Sequence, residues 1–239
     1  VDKRYRLALD AAVADLTQDP VVVGILFTGS VQQGRPAPTS DLDLYVITHH
    51  DHYFRATREY EGVQTELFFN NVAAMHWRLT RQDDVVAMSG FATGQLLLDR
   101  TGETAELIEL ARQRWDDGPP TPTPDQIKLL RYRLQDLYDD LIDVEQDPVA
   151  SRLVGGALVA QALEVFCKLN RHWGDKAKRL ADYVAQRDPV LGSLVNDYFA
   201  RTMHPKQAYA IVDYVLASVG GRLRLWESAK VPYTGGTPT

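Results

Sequence analysis

The first half of the chain mixes short strand-like apolar runs with longer runs in which apolar residues recur at helical spacing. Leu7, Ala12 and Leu16 belong to one such run, which predicts a helix over residues 3 to 16 that ends at Asp19-Pro20. One continuous apolar run and two alternating runs have strand length; they cover residues 21–27, 42–48 and 63–69. The pattern therefore predicts an α/β unit of three or more strands, in which helices cover a sheet.

Two further stretches of this half have a helical pattern. Residues 51–62 predict a short helix that ends at Gly62. Residues 73–114 predict helices, with interruptions near Ser89-Gly90 and between Asp99 and Gly102. Both stretches are expected to cover the sheet.

The clearest boundary in the chain is DDGPPTPTP, at residues 116–124. Four prolines and one glycine in nine residues cannot continue a helix and predict a semi-rigid linker. Beyond it, five helical patterns with short connections predict a bundle; they cover residues 125–146, 149–173, 175–187, 190–202 and 206–227. The predicted fold class is α+β, with a sheet domain at 1–117, a linker at 118–124, a helical bundle at 125–230 and a flexible tail at 231–239.

Composition indicates an ordinary globular protein. The chain has 239 residues, of which 45% are hydrophobic, and a formal net charge of −6. That charge disfavours binding to nucleic acid, which needs a basic stripe, but allows a nucleotide whose phosphates are bridged by a metal. The one cysteine, Cys167, lies in an apolar helical pattern and is expected to be buried. No signal sequence and no run of about 20 apolar residues is visible, so we expect a cytoplasmic protein without a membrane partner.

Candidate chemistry is concentrated in FTGSVQQGRPAPTSDLDLYVIT, residues 27 to 48. Asp41 and Asp43 are two residues apart at the start of a predicted strand, so their side chains project to the same face. Paired carboxylates repel each other unless a cation lies between them, and their oxygens suit Mg²⁺ or Mn²⁺. Gly29-Ser30 follows the preceding strand and could bind phosphate oxygens. Glu66, within the predicted strand 63–69, is a third carboxylate that is costly to bury without a cation.

Together these features resemble the nucleotidyltransferase superfamily that includes DNA polymerase β and the antibiotic nucleotidyltransferases. The resemblance covers about residues 20 to 70 and consists of the Gly-Ser turn, the Asp-Leu-Asp-Leu strand and the acid of a later strand. Residues 96–111, LLLDRTGETAELIELA, look like the segment that follows the core in kanamycin-type members. The resemblance implies a mixed sheet flanked by helices, followed by an all-helical substrate-binding bundle.

The resemblance also implies a chemistry for each of these residues. Asp41, Asp43 and Glu66 would bind one or two Mg²⁺ ions, and Gly29 and Ser30 would hold the β- and γ-phosphates of a nucleoside triphosphate. The reaction would be Mg²⁺-dependent transfer of a nucleoside monophosphate, most plausibly AMP from ATP, to a hydroxyl of a small molecule such as an aminoglycoside. Glu66, or a carboxylate from the helical half, would be the general base.

The helical half offers further candidates. In relatives of the kanamycin type, a lysine of this half lies near the phosphates. Lys168 and Lys176 are the leading candidates for that role here, followed by Lys178 and Arg179. Each of the four could instead be a solvated surface charge. Several side chains could contact a cationic acceptor or a base, or could simply face solvent or core; they are Asp136, Asp140, Asp143, Glu164, Tyr132, Tyr138, Trp173 and Trp226. His49, His50 and His52 have no metal-ligand spacing and are expected in a loop.

Two alternatives remain open on the sequence. One is a toxin-like nucleotidyltransferase that acts on tRNA or protein, for which an open basic cleft would be the sign. The other is a catalytically silent nucleotide-binding or antitoxin module, for which loss of a carboxylate would be the sign. The sequence favours no oligomeric state.

Overall fold

The structure is a computed structural model that describes residues 2–81, 84–201, 203–228 and 230. The chain divides between Pro119 and Pro120 into two compact units, called unit 1 and unit 2 below. The predicted tail at 231–239 lies outside the described residues.

Unit 1 contains a five-stranded mixed sheet with the strand order β3-β4-β2-β1-β5. Its strands are β1 (Val22–Thr28), β2 (Leu42–Thr48), β3 (Phe54–Tyr60), β4 (Val63–Asn71) and β5 (Gln95–Asp99). Its helices are α1 (Lys3–Leu16), α2 (Gly29–Gln32), α3 (Val72–Arg81), α4 (Val85–Thr93) and α5 (Glu103–Asp117). β2 and β4 are parallel and the other neighbouring strands are antiparallel, which confirms the predicted mixed sheet flanked by helices.

The helix predicted over residues 51–62 is wrong, since this stretch contains the edge strand β3. β3 pairs with β4 in antiparallel register, and Glu61 and Gly62 connect the two strands with φ of 50° and 72°. Positive φ at both central residues suits the right-handed twist of a tight hairpin. Because no residue of β3 is buried, its sequence lacks the apolar alternation by which a strand is recognised.

The prediction of interrupted helices over residues 73–114 also missed a strand, β5. This five-residue strand pairs with β1 at the other edge of the sheet. A short apolar run such as QLLLD cannot be assigned to strand or helix by its period alone. Gly94, just before β5, must be small, because a Cβ there would overlap the carbonyl oxygen of Gly90.

The two faces of the sheet differ. Alternate residues of β2 and β4 form a core with α1; fully buried members of this core are Ala8, Ala12, Leu42, Leu44, Val46 and Leu67. The intervening residues of β2, which include Asp43 and Tyr45, project to the other face. There the ring of Tyr45 packs edge-on against Phe91 of α4, with ring centroids 5.1 Å apart. Asp43 therefore lies on the face that α4 covers in part.

Unit 2 contains helices and no strand among its described residues, as predicted. Its helices are α6 (Pro124–Asp143), α7 (Ala150–Leu169), α8 (Ala177–Ala185), α9 (Pro189–Ala200) and α10 (Pro205–Leu216). The predicted last helix, 206–227, is too long, because α10 continues only as a 3₁₀ turn over Ala217–Val219. Gly220 and Gly221 then adopt φ of 90° and 73°, which no right-handed helix contains.

The core helix of unit 2 is α7. In the described part of the chain it has the length and composition that could cross a membrane, with a mean hydropathy of 1.3, but half of that window is buried inside the protein. Core helices of water-soluble proteins have the same composition. Cys167 is buried on it, as expected, and burial raises the pKa of its thiol from 9.0 to about 11.

Candidate functional site

The structure brings Asp41, Asp43 and Glu66 together at one end of the sheet; we call them the acidic triad. Asp43 of β2 lies directly beside Glu66 of the parallel strand β4, and Asp41 immediately precedes β2. One carboxylate oxygen from each residue lies within 4.8 Å of the others. All three side chains are partly exposed. Three acids at this separation form an oxygen-rich site that is open to solvent.

The Gly29 turn lies against the triad. Thr28, the last residue of β1, is paired with Asp43, so the chain turns into α2 directly beside the Asp43 carboxylate. Gly29 has a φ of 83°, and a Cβ built on it would overlap Oδ2 of Asp43. Both its backbone conformation and the space around it therefore require glycine.

Ser30 is joined to the loop that carries Asp41. Its Oγ lies 2.9 Å from the Oγ of Ser40, which also accepts a 2.8 Å hydrogen bond from the amide of Ala37. The carbonyl oxygen of Ser40 in turn accepts a bond of 3.2 Å from the hydroxyl of Tyr5 on α1. These contacts hold the loop after α2 so that Asp41 enters β2 in a defined position.

Arg55 is a residue of this site that sequence reasoning missed. Its Nη2 lies 3.4 Å from both carboxylate oxygens of Glu66, and its guanidinium lies 4.6 Å from the ring centroid of Phe68. The pairing of β3 with β4 places it there, since Arg55 opposes Phe68, two residues along from Glu66. The contact depends on the pairing of β3 with β4, which a helix over residues 51–62 would not allow.

Tyr45 lies two residues after Asp43, on the same face of β2. Its ring stacks on Phe68 with centroids 4.9 Å apart, and burial, followed by the carboxylate of Asp84, raises the pKa of its hydroxyl. The phenol therefore remains protonated at neutral pH. Tyr45 has a packing role here and is not suited to act as a base.

The predicted phosphate-binding cations belong to unit 2. Lys168 lies in the last turn of α7 and Lys176 precedes α8, and both are exposed, as is Lys178. Arg179 makes two hydrogen bonds of 2.8 and 2.7 Å to the carboxylate of Asp175, four residues earlier. That ion pair gives Arg179 a local structural role.

Part of the acidic stripe on α6 lines an open groove of about 480 Å³ within unit 2. The residues that line this α6 groove are Tyr132, Gln135, Asp136, Asp139, Ile142, Asp143 and Arg224. Asp140, the middle member of the predicted stripe, is not among them. Arg224 donates a 3.2 Å hydrogen bond to Asp139, and Trp226 stacks on Tyr132 with centroids 5.2 Å apart. The groove is thus acidic, with an aromatic wall.

The other candidates of unit 2 have mixed environments. Tyr138 is buried beneath the guanidinium of Arg222, which lies 3.9 Å from its ring centroid, and it therefore belongs to the core. Glu164 is exposed on α7, and Trp173 is partly buried in the connection that follows. None of these three lines the α6 groove.

The histidines follow β2 in a loop, as expected. His49 Nε2 lies 2.9 Å from Glu103 Oε2, and the rings of His50 and His52 stack with centroids 4.7 Å apart. Among residues 2–81, 84–201, 203–228 and 230, the acidic triad is the only group of three or more His, Cys, Asp or Glu side chains that lie close enough together to share an ion.

Comparison with known proteins identifies the fold. No protein-family model matches the chain, and no curated protein sequence matches it. Among solved structures, the chain is similar to a nucleotidyltransferase-like protein from Exiguobacterium sibiricum, with a TM-score of 0.55 and 13% sequence identity. The match covers 88% of this chain and 74% of that protein. The chain therefore has a nucleotidyltransferase-like fold.

Proposed function

We propose that this protein is a Mg²⁺-dependent nucleotidyltransferase that transfers a nucleoside monophosphate, AMP from ATP, to a hydroxyl of a small molecule. The observation that carries the proposal is the acidic triad, whose carboxylate oxygens lie within 4.8 Å of one another beside the Gly29 turn, in a nucleotidyltransferase-like fold. A chain gains nothing in stability from three adjacent carboxylates, because their mutual repulsion opposes folding. A cation shared by the three carboxylates would remove this repulsion, and so the arrangement indicates a metal site.

The donor set fits a hard divalent cation. The triad offers carboxylate oxygens without nitrogen or sulfur, and all three side chains are reachable from solvent. Such a set suits Mg²⁺ or Mn²⁺, which keep several waters and take further ligands from phosphates. When bound, the ion would neutralise charge on the triphosphate and on the pyrophosphate leaving group.

The chain's own residues would bind the nucleotide and accept the proton. Gly29 turns the chain beside the Asp43 carboxylate with a positive φ, and the Ser30 hydroxyl, held by Ser40, donates to a β- or γ-phosphate oxygen. Lys168 and Lys176 are the cations that we propose for the triphosphate. The acceptor oxygen attacks the α-phosphorus, the bond to the β-phosphate oxygen breaks, and the proton passes to a carboxylate oxygen of Glu66 or of an acid in unit 2.

The proposed acceptor carries both hydroxyl and ammonium groups, as an aminoglycoside of the kanamycin class does. The α6 groove supports this choice, because three of its lining residues are aspartates and only Arg224 opposes them. Tyr132, which lines the groove and is backed by the ring of Trp226, offers an aromatic surface for a ring or a cation. A nucleic-acid acceptor would instead require a basic surface. We place this ATP-dependent reaction in the cytoplasm, where the single cysteine would stay reduced.

One incubation tests the activity and the acceptor together. The protein is mixed with Mg²⁺, each of the four labelled nucleoside triphosphates and a panel of aminoglycosides, lincosamides and tRNA, and products are read by mass. We expect a mass increase of one AMP on an aminoglycoside, absent with Asp43→Asn and after chelation of the metal. Labelled tRNA or labelled protein would overturn the small-molecule assignment. Tight triphosphate binding without any product would favour a silent nucleotide-binding module.

A further inference from the structure

In the part of the chain that the structure describes, a positively charged side chain, Arg55, lies beside Glu66 of the acidic triad. Arg55 Nη2 lies at the same distance, 3.4 Å, from both carboxylate oxygens of Glu66. The guanidinium thus faces the whole carboxylate and not one edge of it. A divalent ion bound by the triad would have to share these oxygens with a positive charge already beside them.

Two features hold Arg55 at this place. Its backbone belongs to β3, which is bonded to β4 along the whole hairpin from Phe54–Phe69 to Tyr60–Val63. Its guanidinium lies over the ring of Phe68, which favours a cation at that position. The Arg55 side chain is 68% exposed, whereas that of Glu66 is 32% exposed. The guanidinium can therefore move outward into solvent while β3 stays in place.

We propose that Arg55 is a positioning residue that serves as the internal counter-ion of the acidic triad and sets its affinity for a divalent cation. In the metal-free protein Arg55 neutralises and orients Glu66. A divalent ion that binds the triad repels the guanidinium, which leaves Glu66 and remains over Phe68 or in solvent. This inference rests on the proposed function, since it takes the triad to be a metal site.

The size of the effect follows from Coulomb's law. Once the guanidinium has moved outward to about 8 Å from a divalent ion in water, removal of its charge changes the binding constant of that ion by about fivefold, and salt reduces the change. Arg55→Gln should therefore bind a divalent ion about fivefold more tightly than the wild type at low ionic strength. Arg55→Lys keeps the charge and should restore the wild-type affinity. A purely structural role of the side chain would not be rescued in this way.

The same strand provides a matched control. Arg58 lies three residues further along β3, and its Nη1 donates a 2.9 Å hydrogen bond to Asp15 of α1, away from the triad. Arg58→Gln removes the same charge from the same strand. It should leave the divalent affinity within about twofold of the wild type, because Arg58 projects to the opposite face of β3 from Arg55 and its charge is paired with Asp15.

The experiment titrates the full chain with Mn²⁺ and measures free Mn²⁺ by electron paramagnetic resonance, without nucleotide. Wild type, Arg55→Gln, Arg55→Lys, Arg58→Gln and Asp43→Asn are compared at low and high salt, with circular dichroism as the check on folding. Tighter binding in Arg55→Gln alone supports the inference. Equal or weaker binding in Arg55→Gln, while the wild type binds Mn²⁺ and Asp43→Asn does not, overturns it. If wild type and Asp43→Asn do not differ, the proposed metal site itself is wrong.

Discussion

Gly29 and Asp43 share one space: a Cβ on Gly29 would overlap Oδ2 of Asp43, which lies on the neighbouring strand. The turn and the acid are fourteen residues apart in sequence, and the pairing of Thr28 with Asp43 brings them into contact. Because Gly29 has no side chain, the Asp43 carboxylate can occupy this position.

We expect Gly29→Ala to reduce nucleotidyl transfer by about a hundredfold or more, because it displaces the Asp43 carboxylate from the reacting phosphate. The φ of 83° adds backbone strain of about 1–2 kcal/mol to the variant. Urea unfolding and the transfer assay measure the two effects. Gly34→Ala is the matched control, because Gly34 also has positive φ but a Cβ there meets open space. Equal loss of transfer in both variants would show that strain alone is responsible.

Asp43→Asn should abolish transfer while the fold remains intact. The change removes one charge from three adjacent carboxylates, so it lowers their repulsion and should leave the melting temperature of the metal-free protein unchanged or raise it. Transfer is measured with Mg²⁺ at saturating triphosphate, and thermal unfolding is measured without metal. Asp15→Asn, which removes a carboxylate paired with Arg58 on β3, is the control for charge. Near-normal turnover in Asp43→Asn would rule out the proposed role.

The α6 groove should bind organic cations through the aspartates that line it. Asp136→Asn combined with Asp143→Asn should weaken the binding of kanamycin, measured by calorimetry, by about tenfold or more at low salt. Asp140→Asn tests the same helix, but Asp140 does not line the groove, so little change is expected. An equal effect of all three residues would indicate general attraction by an acidic protein and not a defined groove.

Stability should fall in alkaline solution as Cys167 ionises. Burial raises the pKa of its thiol from 9.0 to about 11, so the folded protein holds this proton more firmly than the unfolded chain. The contribution is complete below pH 9 and is lost as the pH rises towards 11. Cys167→Ala should show a smaller decrease between these values in urea unfolding. The native thiol should also react slowly with a disulfide reagent at pH 8 and rapidly once unfolded. Fast reaction of the native protein would contradict the burial of Cys167.

Much of the fold follows from local pattern. Local pattern predicts α1, β1, β2, β4 and the helices of unit 2 close to where they lie. The helices and β4 bury one face with the backbone period, whereas β1 and β2 are buried almost throughout and appear as apolar runs of strand length. β3 and β5 are the two edge strands, and neither of them contains a buried residue. A reading based on burial therefore overlooks them. The end of α10 depends on positive φ at Gly220, which the sequence allows but does not demand.

The candidate site also has a part that local sequence predicts and a part that depends on strand pairing. That Asp41 and Asp43 share a face follows from the two-residue spacing in a strand, so it can be read from the sequence. That Glu66 lies beside Asp43 depends on the parallel register of β2 and β4, and that Arg55 reaches Glu66 depends on the β3–β4 hairpin. Local sequence dictates the direction of a side chain relative to its own backbone, whereas pairing between distant strands depends on how the whole sheet packs. The sequence by itself thus determined that Asp41 and Asp43 share a face, and only the tertiary structure placed Glu66 and Arg55 beside them.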